Sequence, residues 1–484
     1  MKLITKNYIY NIILMIFNVS FPLLTAPYVS RVLGANNLGL VNFSYSLVSF
    51  FLIFCNFGIS IYGIKVISTS KNQTEININT TKLFVYSTLI SLLVVPIYLV
   101  FSIYFFSGNT MYSLIIFSLV LFFSPFSFEW FFIGKENFRL VAIRSLIVRV
   151  FFLIAIFTFI LDREDFLLYA FLLSASQIFT NITNFISAKN SWKFTPFKLN
   201  ELKVLFLDLF PFFLTLFITS IFTIFDKILV GFFLDNYSVA LYFRNRQITI
   251  LIIGLTTALL KVLVPRLSNY FNIDFPNYFK LMKFSLSFLI FLTIPAAFGL
   301  VFLGREILFL LGGVEFVDGY SSFIIISIWT VFSSLNVFFD YQIAIPLGKE
   351  KITTKTTIYI ATSIVFFSVI LTPFYGLIGA SLALLISEII GFIFQYNYYN
   401  KHFENLKFFN SNFFTILFGS SSMFLILILS KSYFLVFLDL GWMMFFSIII
   451  GIFSYILVLR FLGNEIINFL VSYVINYLSK KAKK

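Results

Sequence analysis

Long apolar runs, separated by short polar stretches, follow one another along almost the whole chain. Each run has about 17–25 residues, the length that a helix needs to cross the hydrocarbon core of a bilayer. The runs lie at 8–29, 39–61, 83–106, 113–133, 142–161, 166–187, 205–231, 237–260, 284–303, 322–345, 357–375, 377–398, 412–430 and 441–462. This pattern predicts an all-α polytopic membrane protein with 14 transmembrane helices.

Composition supports the same class and excludes several others. Of the 484 residues, 60% are hydrophobic and 11% are charged, whereas soluble domains carry about 25% charged residues. A soluble enzyme, a nucleic-acid-binding domain and a secreted disulfide scaffold are therefore excluded. The single cysteine and the single histidine leave no basis for a disulfide or a metal site. No loop exceeds about 20 residues, and no Walker A loop occurs, so we expect no catalytic residues, no metal and no enzyme activity.

The distribution of basic residues predicts the orientation of the spans. Lysine and arginine concentrate in alternate loops, and the positive-inside rule assigns these loops to the cytoplasm. Arg144 and Arg149 are counted among these cytoplasmic residues. The opposite loops carry only Arg31, Arg163, Arg305 and Lys431. Because the number of spans is even, both termini are expected in the cytoplasm.

A weak internal repeat suggests two lobes. Glu129 in span four is followed by Gly134-Lys135-Glu136, and Asp340 in span ten is followed by Gly348-Lys349-Glu350. Parallel repeats of this kind build one class of transporter. The predicted parts are an N-terminal six-helix lobe (1–200), a C-terminal six-helix lobe (201–405), the two extra C-terminal helices (406–462) and a basic amphipathic cytoplasmic tail on the membrane surface (463–484).

Polar residues repeat at helical spacing in four spans. These stripes are Asn11, Asn18 and Thr25; Asn42, Ser46, Ser49, Asn56 and Ser60; Ser174, Gln177, Asn181 and Asn184; and Thr215, Thr219, Thr223 and Asp226. Steps of three, four and seven keep each stripe on one helix face. Interhelical hydrogen bonds would explain one stripe, but four stripes favour a shared polar cavity. Amides and hydroxyls suit sugar hydroxyls, so Asn42, Gln177 and Asn181 are candidate substrate-binding residues.

Charged residues near the predicted outer ends of spans form a second candidate group. They are Arg31, Asp226, Lys227, Arg244 and Arg246. Four cations against one acid in a region of low dielectric can attract a diphosphate or an acidic sugar. Alternatively, Asp226 only neutralises Arg244 or Lys227. Arg244 and Arg246 are two residues apart and cannot share a helix face, so a structural role for one of them is the alternative interpretation.

Three other acids lie within spans: Glu129, Asp340 and Glu388. Acids in lipid can bind a coupling ion, so these residues are candidates for coupling transport to H⁺ or Na⁺. The alternative for Glu129 is an ion pair with Arg139 or Arg144. No other cofactor is expected.

Three motifs carry a resemblance to a known family. They are PYVSRVLG at 27–34, EWFFIGKE at 129–136 with Arg144 downstream, and FDKILVG at 225–231. With them the chain resembles the Wzx-type oligosaccharide flippases, which transport O-antigen or capsule repeat units. These belong to the polysaccharide branch of the multidrug/oligosaccharidyl-lipid/polysaccharide exporter superfamily. The chain departs from the family pattern at Ala240, where glycine is expected, and at Arg244, where a small residue is common.

The resemblance implies a function. The family moves undecaprenyl-diphosphate-linked repeat units across the bacterial cytoplasmic membrane by alternating access between two lobes, for surface polysaccharide synthesis. The implied partners are the lipid-linked oligosaccharide, membrane lipids, and a polysaccharide polymerase with its chain-length machinery; nucleic acid is not a partner.

Two other functions stay open at this point. The first is a cation-coupled drug antiporter of the same superfamily, which more often has twelve spans and an acid-dominated cavity. The second is a membrane-integral polysaccharide polymerase or ligase, which needs a large outer loop with catalytic arginine or histidine.

Overall fold

A computed structural model describes residues 2–401, 403, 411–469 and 472, with side chains left out at 2–23 and 432–437. The predicted all-α class is confirmed, since the described residues form helices and no strand. The α-helices are α1 Lys2–Asn56, α2 Ile59–Thr69, α3 Gln73–Phe105, α4 Gly108–Phe122, α5 Glu129–Gly134, α6 Phe138–Phe159, α7 Phe166–Lys189, α8 Glu201–Ser220, α9 Asp226–Phe233, α10 Asn236–Ile273, α11 Phe275–Gly312, α12 Tyr320–Phe338, α13 Glu350–Asn400, α14 Ser411–Phe437 and α15 Leu440–Phe461.

By length and apolar composition, 11 helical segments of the described residues can cross a membrane, or 12 when the bent pair Gly108–Phe122 and Ser124–Gly134 is one span. Two helices each contain two predicted spans. Helix α1 turns at Gly34, whose φ is 73°, and α13 turns at Gly376, whose φ is 56°. Glycine adopts this left-handed backbone without the steric cost of a Cβ. Counting both arms of each helix brings the number close to the predicted fourteen.

Two spans contain a short π-helical segment at a predicted functional acid. Ile221–Phe225 links α8 to α9 and ends directly before Asp226. Phe339–Ala344 follows α12 and contains Asp340. The wider turn of a π-helix shifts the side chains that follow it around the helix axis, and such bulges occur frequently at functional sites.

The chain divides into two compact units. The first contains Met1–Phe243 and Leu311–Glu315, and the second contains Arg244–Leu310 and Phe316–Lys484. The predicted lobe limits, at 200 and 405, stay a prediction.

Each unit has an apolar core of its own. In the first unit, Phe128 and Phe131 are fully buried and pack with Leu209. In the second unit, Phe338 and Tyr399 are fully buried in a cluster that also contains residues of the last two spans. Burying such aromatic side chains contributes much of the packing energy of a helical bundle.

The two C-terminal spans pack against α11 in the second unit. The Tyr455 hydroxyl of α15 donates to the carbonyl oxygen of Phe291 over 3.0 Å. Lys431 of α14 donates to the Glu306 carboxylate over 2.7 Å. Of the predicted tail, Ile466 and Ile467 are buried in the core of this unit, and 470–471 and 473–484 lie outside the described residues.

Candidate functional site

The arm of α1 that follows Gly34 presents one open polar face in the first unit. Around most of this arm the side chains are buried, but Tyr45 is 38% exposed, and Asn42 and Ser49 are half-buried. Steps of three and four residues place these side chains on one face. The predicted candidate Asn42 therefore lies on an accessible polar surface. Asn11 and Asn18, on the preceding arm, have side chains outside the described residues.

The stripe on α7 is largely used for packing. Asn181 is 9% exposed and donates to the carbonyl oxygen of Phe123 over 3.4 Å, and Ser174 and Asn184 are buried. Gln177 is half-buried. Of the two amides predicted on this helix to bind substrate, Gln177 is the more accessible.

Span seven carries an accessible polar face. Thr215, Thr219 and Thr223 are exposed, and the Lys227 ammonium group donates to the Thr223 carbonyl oxygen over 3.1 Å. The same ammonium lies 5.1 Å from the ring centroid of Phe243. These residues follow one another at intervals of four, so the hydroxyls and the cation share one side of the span.

Asp226 lies beside that face but points into protein. Its side chain is 3% exposed and accepts a hydrogen bond from the Tyr242 hydroxyl over 3.0 Å. This hydrogen bond holds one oxygen of the buried carboxylate towards the protein interior and away from the threonine face. Arg31 is exposed, and its guanidinium donates to the Pro27 carbonyl oxygen over 3.2 Å.

The second unit encloses Arg244 and Arg246. They are 5% and 2% exposed. The Arg246 guanidinium lies 4.2 Å from the ring centroid of Trp329, and Arg244 lies over Phe316 and donates to Gln247. Stacking on an aromatic face and hydrogen bonding both stabilise a cation in an apolar setting. The joint cluster of four cations stays a prediction.

Two amide–carboxylate pairs connect the region of α12 with α13. Asn336 donates to the side chain and, over 3.0 Å, to the carbonyl oxygen of Glu388. Gln395 donates to Asp340 over 2.8 Å. Glu388 is 1% exposed, and among the described residues its second carboxylate oxygen, like the side-chain oxygens of Asn336 and Gln395, has no hydrogen-bond partner. A buried oxygen without a protein partner can be matched by a water, by a cation or, at the carboxyl group, by a proton.

In the part of the chain that the structure describes, no group of three or more His, Cys, Asp or Glu side chains could hold a metal ion. A site at Glu388 would therefore use amide oxygens beside its carboxylate.

The sequence-based assignment of Arg149 to a cytoplasmic loop is wrong. Both Arg144 and Arg149 lie within α6. Arg144 stacks on Phe132, 4.7 Å from the ring centroid, while the charge of Arg149 acts on Glu129. The apolar run 142–161 includes Arg149 and so places it in a span, whereas the count of basic residues by loop places it in the cytoplasm.

Glu315 forms a cluster that the sequence does not predict. Its carboxylate accepts the backbone N–H of Ala35 over 2.6 Å and pairs with Arg163 over 3.1 Å. Its carbonyl oxygen accepts the Tyr237 hydroxyl over 2.7 Å. The arm that follows Gly34 thus begins with an N–H held by a carboxylate, a favourable arrangement at a helix N-terminus.

The architecture is that of a polytopic helical membrane protein. It resembles a lipid II flippase, MurJ, in an inward closed conformation, with a TM-score of 0.75, 19% identity, and coverage of 96% of this chain and 100% of that one. It resembles a multidrug resistance MATE transporter less closely, with a TM-score of 0.56, 14% identity, and coverage of 80% and 95%. At these identities, the likeness shows the fold.

A family model described as "Polysaccharide biosynthesis protein" matches residues 4–271. The chain belongs to this family, because the match spans more than half of its length. A putative O-antigen transporter of Shigella dysenteriae is 25% identical over 382 residues, which cover 78% of this chain and 95% of that protein. The resemblance inferred from the motifs is confirmed.

Proposed function

We propose that this protein is a flippase that moves lipid-linked oligosaccharide repeat units across a membrane for surface polysaccharide synthesis. The observation that carries the proposal is the relation to a putative O-antigen transporter over nearly the whole of that protein. The family match and the flippase-like fold support it. The proposed activity is transport and not catalysis, and a polymerase with its chain-length machinery would use the delivered repeat units.

The open polar faces of the first unit support a sugar and diphosphate substrate. Asn42 and Gln177 can hydrogen-bond hydroxyls, and Lys227 can contact an oxyanion beside the threonine face of span seven. Arg31 is accessible at the turn. We assign the first contacts to these four residues, and the support of the site to Asn181 and Asp226, which are buried in the same unit. Arg244 and Arg246 belong to the second unit, and their role in substrate binding stays a prediction. Transport would proceed by alternating access between two lobes.

Ion coupling is part of the proposal, with Glu388 as its centre. The unmatched oxygens of Glu388 and Asn336 offer oxygen ligands to a hard cation, and the Glu388 carboxylate can instead take a proton. Asp340, paired with Gln395, lies close enough for its charge to act on Glu388. Glu129 is the other candidate for a coupling ion; the charge of Arg149 acts on it, as that of Arg246 acts on Glu388.

Accumulation of the substrate tests the flippase proposal. In a strain that lacks this protein, lipid-linked repeat units should accumulate and the surface polymer should disappear, because synthesis of the repeat unit precedes its transfer. Thin-layer chromatography of extracted lipids measures the first effect and staining of the polymer the second. The chain supplied on a plasmid should restore both.

A different outcome would favour a drug antiporter. If the strain keeps normal polymer but becomes sensitive to cationic drugs, the flippase proposal is wrong. The MATE-like fold is the observation that keeps this alternative. Loss of polymer without accumulated repeat units would instead indicate a polymerase or ligase.

We also propose that the protein lies in the bacterial cytoplasmic membrane with both termini in the cytoplasm, as the loop charges predict. Single cysteines at Ser107 and Ser191, both exposed, should react differently with an impermeant thiol reagent on intact cells. Only position 107 should be labelled. Cys55 is buried and should give a low background. Labelling at position 191 in intact cells would contradict the proposed orientation.

A further inference from the structure

A cavity of about 180 Å³ lies between α2, α3 and α8 in the first unit. Its polar lining comes from all three helices, with Tyr62 on α2, Asn79 and Lys82 on α3, and Glu201 and Asp208 on α8. Pockets for drug-sized ligands measure about 300–1,000 Å³, so this cavity is too small for an oligosaccharide repeat unit. Its lining offers both an acid and a cation to a smaller ligand.

The cation of this cavity is Lys82. Its ammonium group forms an ion pair with Glu201, and the side chains of Lys82 and Glu201 are 21% and 39% exposed. A lysine ammonium group has three N–H donors. The bond to Glu201 therefore leaves donors that can serve an anionic group in the cavity.

Asp208 is the acid of this cavity that has no cation beside it. Its carboxylate accepts a hydrogen bond from the Tyr62 hydroxyl over 3.2 Å, and the residue is exposed. Among the residues that the structure describes, no lysine or arginine forms an ion pair with Asp208. Lys65, one turn from Tyr62 on α2, lies instead 5.9 Å from the ring centroid of Phe212. The Asp208 carboxylate can therefore accept a cationic group from a ligand.

The cavity lies at the predicted membrane surface. Lys82 directly precedes the apolar run 83–106, and Asp208 is three residues into the run 205–231, about 5 Å deep at 1.5 Å per residue. Val204, which also lines the cavity, is 59% exposed. A carboxylate at the edge of a span is costly unless it is paired. The charged groups of the surroundings at this depth are the headgroups of phospholipids.

We propose that this cavity binds the headgroup of a membrane phospholipid that carries a primary ammonium group. The ammonium group donates to the Asp208 carboxylate, the phosphate accepts from Lys82, and the exposed side chain of Val204 contacts the start of an acyl chain. Hydrogen bonds between ionised groups are stronger than neutral ones. Because the cavity offers an acid and a cation together, it selects a zwitterionic headgroup over an anionic one. A trimethylammonium headgroup has no N–H to donate, so it binds less tightly.

The test measures which lipid stays bound to the purified full chain. Delipidated protein in detergent is mixed with equal amounts of dioleoyl phosphatidylethanolamine, phosphatidylcholine and phosphatidylglycerol, and native mass spectrometry counts each bound lipid. The wild type should retain one phosphatidylethanolamine in preference to the other two lipids. This comparison needs no variant to fold. A wild type that retains phosphatidylcholine or phosphatidylglycerol as well as phosphatidylethanolamine would overturn the inference.

Asp208→Asn removes the charge that the ammonium group needs but keeps the shape of the side chain and an oxygen for the Tyr62 hydroxyl. It should lower the ratio of bound phosphatidylethanolamine to phosphatidylcholine about tenfold, the effect of losing one charge-assisted hydrogen bond. Glu164→Gln is the matched control, since Glu164 is an exposed acid of the same unit outside the cavity. It should retain lipids as the wild type does, and an unchanged ratio in Asp208→Asn would contradict the proposed contact.

Tyr62→Phe separates a binding role of Asp208 from a structural one. This variant removes the hydroxyl that bonds Asp208 but leaves the carboxylate, so the preference for phosphatidylethanolamine should persist. If Tyr62→Phe loses the preference as Asp208→Asn does, the hydrogen bond between α2 and α8 only maintains the packing, and the inference would be wrong. Soluble phosphoethanolamine at the concentration of the lipid should not displace it. Displacement would assign the cavity to a free amine instead of a lipid.

This inference goes beyond the proposed function and can fail separately from it. Lipid retention is measured on the purified chain without a transported substrate, so its failure would overturn only the headgroup site. Normal polymer in the strain that lacks the protein would overturn the flippase proposal, whichever lipid the cavity retains.

Discussion

Replacing Gly39 by alanine should markedly lower the stability of the first unit. A Cβ on Gly39 would lie 1.7 Å from the carbonyl oxygen of Asn236 and 3.1 Å from the backbone nitrogen of Ala240. Both neighbours are backbone atoms of α10, so no rotamer change can relieve the clash and the two helices must separate. Overpacking of a close interface costs about 1–3 kcal/mol, and a backbone clash belongs at the upper end of that range. The melting temperature of the detergent-purified protein measures the effect.

Gly254→Ala is the matched control for this prediction. Gly254 lies inside α10 with no atom near the position of an added Cβ. Because alanine favours a helix over glycine by up to about 1 kcal/mol, this variant should melt at the wild-type temperature or slightly above it. A Gly39→Ala protein that melts with the wild type would contradict the close contact between the two helices.

Replacing Glu388 by glutamine should abolish the dependence of transport on an ion gradient. The side chain keeps its shape and its hydrogen bond from Asn336, but it can no longer carry the charge that a proton or a cation neutralises. One coupled charge is worth about 2.3 kcal/mol at 100 mV, which is about fiftyfold in accumulation. Proteoliposomes with a fluorescent lipid-linked oligosaccharide and an imposed H⁺ or Na⁺ gradient measure that ratio.

Glu350→Gln provides the control for Glu388, since Glu350 is exposed at the start of the same helix. It should respond to the gradient as the wild type does. A Glu388→Gln protein that still responds fully to the gradient would show that the coupling ion binds elsewhere. A wild type that ignores both gradients would show that transport is not coupled to these ions.

The sequence predicts the helices of this protein well, because lipid imposes one strict requirement on every span. An apolar run of sufficient length must become a helix, since only a helix satisfies its own backbone groups in hydrocarbon. For this reason even the two spans of α13 were predicted separately, with the boundary at 376, where the structure turns at a glycine. Neither π-helical segment could be predicted, because their registers depend on packing against other helices.

The contacts at the candidate sites could not be predicted in the same way. Asn336 and Glu388 are 52 residues apart, and Glu315 and Ala35 are 280 apart, so no local pattern connects them. The burial of Arg246 over Trp329 likewise depends on how two distant spans pack. A charge inside a span indicates that a partner exists, but not which residue that partner is. For Arg149 the error was different. Counting it among the loop charges placed it in water, where a charged side chain needs no partner.

During synthesis, the two arms of α1 reach the membrane with only the turn at Gly34 between them, and the two arms of α13 with only the turn at Gly376. A span is released into lipid more readily when a polar loop follows it, and at both places helix continues on either side of a single glycine. Each pair of arms must therefore enter the bilayer as one hairpin, and a ribosome stalled between the arms would leave an apolar segment with an unanchored end. The smallest unit of insertion at these two places is a pair of spans. A mutation that makes either arm polar should therefore reduce membrane insertion of both arms.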